Sequence, residues 1–299
     1  MQKSVSALFI SVALLSACND KEISQLQQQL QQSQQTIAQL KSDRQAIKNE
    51  LAQAKAQFPT LQVKISEIFN KQTQIELNTS AENNPNIPQA TVNTCDYLPE
   101  TGVQWLDNLL IKKQYGYLIN SDEKSQPESD NPGKADLIKL LESIHTRAVN
   151  EIKQEPTPGF DLCINANYLG QRQNVVSFEE ALSTYNGGAH GMHYLFYTNI
   201  DINKKALIGL DDLVVAGAWS KLTEFLWKDY IDNVMNGESP FIAKQDFRIS
   251  PEFYFSPEGI HFVYPPYALN AYAYGDVTLV LPWGAIEENL INPDYNWYK

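Results

Sequence analysis

The sequence predicts an α+β protein: a mostly antiparallel sheet with packed helices, preceded by a long N-terminal coiled-coil helix. Three observations carry this. Residues 23–58 repeat apolar positions every seven residues. From Phe160 onward, short stretches alternate apolar and polar in the manner of half-buried strands. Two stretches with helical apolar stripes, "ADLIKLLESIHTRAVNEIK" and "AWSKLTEFLWKDYIDNVM", lie beside and among those strands.

The first element is a leader. Met1-Gln2-Lys3 supplies one cation, and Ser4 to Ala17 is almost wholly apolar or small. Such a run is shorter than the roughly 20 apolar residues that span a bilayer and reads as a secretory signal over 1–17. Leu15-Ser16-Ala17-Cys18 looks like a bacterial lipobox. It predicts cleavage before Cys18 and lipid attachment there, including a palmitate-type acyl chain. The plainer alternative is an ordinary signal peptide with an incidental cysteine. Each buried CH₂ of an acyl chain contributes about 0.8 kcal/mol, so several chains anchor stably. Asn19 rather than Asp follows the cysteine, which leaves outer-membrane placement, facing the periplasm, as the expectation.

Residues 18–58 form the anchor and stalk. With Ile23 at position a, that seam holds Leu30, Ile37, Arg44, Leu51 and Phe58, and position d holds Leu26, Ser33, Leu40, Ile47 and Ala54. Glutamine enrichment on its own reads as disorder; the heptad argues for a helix, roughly 50 Å long at 1.5 Å per residue. A stripe this narrow cannot bury itself, so the reading is self-association or docking on a partner helix. A solvated single helix acting as a spacer is the alternative.

Pro59 ends the helix and opens a domain over 59–299. "LQVKISEIF" alternates at Leu61, Val63 and Ile65, a strand signal. "NTSAENNPNIPQAT" and "NSDEKSQPESDNPGK" are polar loops, and "VQWLDNLLIKKQ" is a short helix. "FDLCINANYL", "NVVSFEEALSTY" and "MHYLFYTNIDI" are strands. "EFYFSPEGIHFVY" is a hairpin turning at Ser256-Pro257-Glu258-Gly259, with Gly259 expected to supply a positive φ. "DVTLVLPW" is a further strand and "GAIEENLI" a terminal helix.

Composition narrows the function classes. The chain has 23 Lys+Arg against 35 Asp+Glu, a formal net charge of −12; losing Lys3 with the leader makes it one unit more negative. Nucleic acid, which demands clustered cations, is excluded as a natural partner. A basic partner would be attracted and steered. With Cys18 lipidated, Cys95 and Cys163 remain. Two thiols in an oxidising compartment predict a disulfide, which closing so long a loop makes worth about 4 kcal/mol on the chain-entropy view. No CxxC exists and neither cysteine neighbours a histidine, so no metal or cofactor is expected.

The most unusual stretch is "STYNGGAHGMHY". Gly187 and Gly188 permit backbone conformations that a Cβ forbids. His190 and His193 follow, in a chain with four histidines. Their i,i+3 spacing suits zinc on a helix, but the glycines oppose a helix, and on a strand such residues face opposite ways. HExxH and GxSxG are both absent. The leading reading is a tight turn feeding a strand; His190 as a catalytic base is the minor one. In "YPPYALNAYAY", Tyr264, Tyr267, Tyr272 and Tyr274 cluster about two prolines. Tyrosine gives a large contact face at low entropic cost, although such a corner also packs well internally.

At these residues the chain resembles a family. "YNGGAHG" (Tyr185 to Gly191) is close to its tyrosine–glycine–glycine–alanine–histidine signature. "NIDINKKALIGLDDLV" resembles its next element, and "FYFSPEGIHFVYPPYALNAYAYGDVTLVLPW" its closing segment. The three motifs span about 160–292. The family is the RsiV-like C-terminal domain, found in the extracytoplasmic part of the RsiV anti-sigma factor, a lysozyme receptor, and beside some envelope polysaccharide deacetylases. The resemblance implies a sensory or binding domain near peptidoglycan and gives no catalytic residues. The chain shows neither a sigma-binding segment nor a deacetylase pattern, so neither activity is implied. The expected protein is therefore a lipid-anchored envelope binding module, not an enzyme. Its candidate surface is Tyr185, Gly187, Gly188, His190, His193, Tyr264, Tyr267 and Tyr272, its partner an envelope protein such as a lysozyme-like muramidase or a component of an envelope machine. The alternative is a peptidoglycan- or glycan-acting hydrolase using His190.

Overall fold

The computed structural model describes residues 4–57, 59–78, 87–121, 127, 129–287 and 289–297, with α1 side chains described over 23–49. The chain divides into two compact units, 1–60 and 61–299. The first holds α1 (Ser4–Gln57), one continuous helix. The seven-residue spacing puts its apolar residues in one stripe, and Ile23, Leu26, Leu30, Ile37, Leu40 and Ile47 are all exposed there, at 45–64%. Cys18, Leu51, Ala54 and Phe58 lie outside the described side chains. No helix among the described residues is long and apolar enough to cross a membrane.

The second unit is mixed α/β. Its strands are β1 (Lys64–Glu76), β2 (Gln89–Glu100), β3 (Gly159–Arg172), β4 (Val175–Tyr185), β5 (Met192–Asp201) and β6 (Ala206–Leu207), which form one sheet in that order. All neighbours are antiparallel except β2 and β3. A parallel pair needs a long crossover. Here α2 (Gln104–Ser121) and α3 (Lys134–Gln154) supply it. The rest comprises α4 (Leu210–Leu213), α5 (Trp219–Asp229), and a second antiparallel sheet of β7 (Phe253–Phe255), β8 (Gly259–Tyr264) and β9 (Val277–Pro282).

The period of each element decides what it covers. Leu137, Leu141, Ile144, Ala148 and Ile152 of α3 are buried along one face. They meet the even-numbered strand residues, whose side chains share one side of the sheet: Leu98, Leu162, Ile164 and Leu182 pack with α2 and α3 in one cluster, and Val176, Phe178 and Ile200 with Leu106 and Leu110 in another. The odd-numbered side is covered at one end only, where Asn199 donates from Nδ2 to Phe253 O at 2.6 Å and the Tyr197 N–H donates to Glu252 Oε2 at 2.7 Å. A third core joins α5 to the second sheet through Leu222, Leu226, Tyr230, Phe262 and Leu279.

Cys95 and Cys163 sit opposite one another in the parallel register and form a disulfide, Cα atoms 4.5 Å apart. Four expectations are corrected. The first strand starts at Lys64 rather than Leu61, and Ile65 is exposed: a bulge between Glu67 and Phe69 turns half-buried Ile68 and Phe69 and buried Ile75 inward. The helix read from "VQWLDNLLIKKQ" runs on to Ser121. "GAIEENLI" is not a helix among its described residues; a 3₁₀ turn at Trp283–Ala285 gives way to chain whose Ile291 bridges Val214. Gly259 has no positive φ; it is glycine because a Cβ would meet Leu281 O at 2.3 Å, where β8 and β9 close up. β2 itself, with Thr94 and Asp96 buried among its apolar residues, gave no clean alternation to read.

Candidate functional site

The open side of β3, β4 and β5 forms a shallow grid. Cross-strand register sets three rows: Cys163–Ser183–His193, Asn165–Ala181–Leu195 and Asn167–Glu179–Tyr197. None of these nine positions is lysine or arginine. Small side chains at Ala181 and Ser183 keep the floor low. Glu179 is held in place from both sides, accepting from Asn167 Nδ2 at 2.9 Å and from Tyr197 Oη at 3.0 Å.

Aromatic and acidic groups rim the grid along β5. Asp161, paired with Tyr185, and the glycine turn close one end. In that turn Gly187 has φ +80°, and a Cβ there would lie 2.5 Å from Thr157 Cβ, so no other residue fits. The packing presents His190 outward, where it stacks on Tyr272 with ring centroids 4.2 Å apart. His190 Nδ1 donates to Gly191 O at 2.9 Å, and Tyr272 Oη donates to the same carbonyl at 2.8 Å. Tyr267, half exposed at φ +70°, packs on Tyr272 at 5.6 Å. Further along, His193 Nε2 lies 3.7 Å from Asp276 Oδ2. Burial pushes the Asp276 carboxyl above its usual range, His193 opposes the shift and Glu179 adds to it. Tyr254 then stacks between Tyr197 at 4.9 Å and His261 at 4.6 Å. Burial raises both phenols and lowers His261.

Most of the sequence-predicted residues converge here. Tyr185, Gly187, Gly188 and His190 build the turn, and His193, Tyr267 and Tyr272 rim the grid. Tyr264 does not join them and is corrected: it is 5% exposed, facing the α5 core, and its phenol oxygen accepts from the Ser250 N–H at 3.2 Å. The fourth histidine, His145, is buried between Thr73 and Thr94. Asn165, Asn167, Glu179, Tyr197, Tyr254, His261 and Asp276 escaped sequence reasoning. Strand parity could have found the first four, since they face away from the apolar set Met192 to Ile200. Tyr254, His261 and Asp276 arrive from chain more than fifty residues beyond β5 and carry no local signal.

The chemistry within reach is limited. His190 contacts a carbonyl and a tyrosine rather than a carboxylate. Ser256 Oγ lies 2.7 Å from His261 Nε2, a nucleophile–base spacing. That oxygen also accepts from the N–H groups of Glu258 and Gly259 at the hairpin turn, and His261 Nδ1 is buried without a hydrogen-bond partner, so nothing orients the ring as a base. Among the described residues no three His, Cys, Asp or Glu side chains gather in a metal-ligating group.

The fold and this rimmed grid define a two-sheet α/β domain. Residues 211–284 match the model of DUF3298, a protein family of unknown function. The match runs from within α4 through β9, so it takes in the third of the sequence motifs and the last four residues of the second, and does not reach the Tyr185–Gly191 turn. A DUF3298-family protein from Bacteroides fragilis is similar in structure, with a TM-score of 0.58 and 16% identity over 79% of this chain and 95% of that one. Another, from Pseudomonas aeruginosa PAO1, has a TM-score of 0.51 and 16% identity over 78% and 95%. At such identities the likeness speaks for the fold. No curated protein matches the chain.

Proposed function

We propose that this protein is an RsiV-like recognition module, lipid-anchored at Cys18 in the bacterial envelope and held off the membrane by α1 as a coiled-coil stalk. Its partner is a basic envelope protein, with a lysozyme-like muramidase the first candidate. The observation that carries the reading is the grid: carboxyl groups at Glu179 and Asp276 beside stacked Tyr272, Tyr197 and Tyr254, with no lysine or arginine among its positions. Aromatic anchors set in a polar surface commonly dominate interfaces, and the net charge of −12 favours a cationic visitor. The rival hydrolase reading needs His190 to meet a carboxylate, and its neighbours are Gly191 O and Tyr272.

The test is titration of the purified chain against a lysozyme panel, with muramidase activity followed in parallel. Association is expected to slow as salt rises, because the Debye length falls from about 10 Å at 0.1 M to about 3 Å at 1 M. Tyr272→Ala is expected to weaken binding about tenfold or more, since truncated hot-spot residues cost about 2 kcal/mol. No binding to any lysozyme removes that ligand. Peptidoglycan turnover that disappears in His190→Ala overturns the binding reading and installs the hydrolase. For the anchor, Cys18→Ser should abolish incorporation of a labelled fatty acid and release the protein from membranes; a wild-type chain that is soluble and unlabelled ends the lipoprotein reading.

A further inference from the structure

The exposed stripe of α1 and the charges beside it point to one occupant. We infer that α1 pairs in parallel and in register with α1 of a second copy of this chain, making the protein a two-stranded dimer. This rests on the stalk reading above and goes further by fixing partner, direction and register.

The stripe is apolar and open. Six residues at a and d positions, Ile23 to Ile47, are 45–64% exposed over about 37 Å of helix. Left in water they would be an apolar seam with no core, whereas a second helix of the same spacing buries them knob into hole. Ile23 and Ile37 at a with Leu26 and Leu40 at d favour two strands and outnumber Leu30 at a and Ile47 at d, which favour more.

The flanking charges select direction. On the heptad that begins at Ile23, Lys41 and Lys48 fall at e and Asp43 at g. In a parallel in-register pair, each g residue meets the e residue of the following heptad on the other helix. Asp43 of each copy then meets Lys48 of the other, twice by symmetry. Antiparallel pairing sets e against e and g against g, which brings lysine to lysine and aspartate to aspartate where the charged bands overlap and forms no ion pair elsewhere, because positions 27–36 at e and g are Gln and Thr. Within one helix Gln39 Nε2 donates to Asp43 Oδ1 at 2.8 Å, leaving Oδ2 for Lys48 of the other copy.

Arg44 sets register and number. It is the one charged residue on the a/d seam over 23–47. A single polar residue at an a position specifies alignment at a cost in stability. In register, each Arg44 stem covers the seam while its guanidinium reaches Asp43 of the other helix, one position away. In a three-stranded assembly three guanidinium groups would converge on the axis, which the charge disfavours.

The experiment uses the full chain carrying Cys18→Ser, which keeps it in water and removes a competing thiol. Sedimentation at tens of micromolar is expected to give a dimer. Adding Leu40→Asp should weaken it at least a hundredfold without changing the folded domain's thermal transition. Adding Ser33→Cys, at a d position that faces itself only in the parallel in-register pair, should give an intermolecular disulfide in most of the protein under mild oxidation. Arg44→Leu should tighten the assembly and admit trimers. A monomeric chain whose circular dichroism still shows the helix overturns the dimer and leaves the stalk standing. A dimer in which Ser33→Cys does not crosslink overturns the parallel register. Loss of the helical signal itself would sink the stalk reading and the dimer together.

Discussion

Glu179 and Glu180 are neighbours on β4, yet they live in two different proteins as far as chemistry goes. Glu179 faces the open grid, half exposed, with Asn167 and Tyr197 donating to its two oxygens. Glu180 faces the helices and is wholly buried; Thr198 Oγ1 reaches one oxygen at 3.3 Å and the other has no partner. Burial pushes Glu180 up to about 8. Asp96, on the same side, is also pushed up to about 8, by burial first and by Glu180 second. The covered side thus holds two carboxyls that fold most easily as neutral acids, while the open side holds a carboxyl held by two donors. One residue of offset along a strand reverses the whole environment, because side chains alternate faces. The helix layer is the side that makes the fold, and the grid is the side that layer leaves uncovered.

That contrast can be broken at its one exception, the Cys95–Cys163 disulfide, which lies on the open side yet serves stability. Replacing both cysteines by alanine should cost about 4 kcal/mol for a loop of this length, read as a lower urea midpoint. The next largest effect compares neighbours again. Ile164→Ala, on the covered side at 0% exposure, should cost about 3 kcal/mol, whereas Asn165→Ala, exposed on the grid, should stay within about 0.5 kcal/mol. Equal losses at the two positions would deny that the faces differ. The smallest effect sharpens the comparison by pH. A carboxyl raised in the folded state binds more protons there than when unfolded, so its contribution is full below about pH 4 and is lost as pH rises to about 8. Asp96→Asn with Glu180→Gln should therefore flatten the decline in stability between pH 5 and 9 by more than about 1 kcal/mol.

Much of the architecture was legible where one period dominates. The heptad of α1, the stripe of α3 and the alternation Met192 to Ile200 each bury or align one face, so a local pattern suffices. β2 was not legible, because Thr94 and Asp96 stand on its buried side and break the alternation. Gly259 was misread because its requirement is set by Leu281, a contact across strands that no turn rule contains. The site divides the same way. The glycine turn and its histidines announce themselves in sequence, and Tyr264 looks equivalent to Tyr272 within "YPPYALNAYAY", yet one ends inside the α5 core and the other against His190. Which tyrosine of a cluster faces outward depends on the packing of segments far apart in the chain.

The disulfide also decides how the molecule carries load. Every grid residue lies at or beyond Cys163 in the chain, and α1 precedes Cys95. A partner gripping the grid while α1 is tugged would strain β1 and β2 as far as Cys95, then cross through sulfur to Cys163. The intervening stretch, α2 and α3 included, is a closed ring outside the line of tension. Its contour of about 230 Å, at about 3.4 Å per residue over a separation of 68, stays stored while the bond holds. The helix layer that makes the fold is shielded from a pull applied through α1.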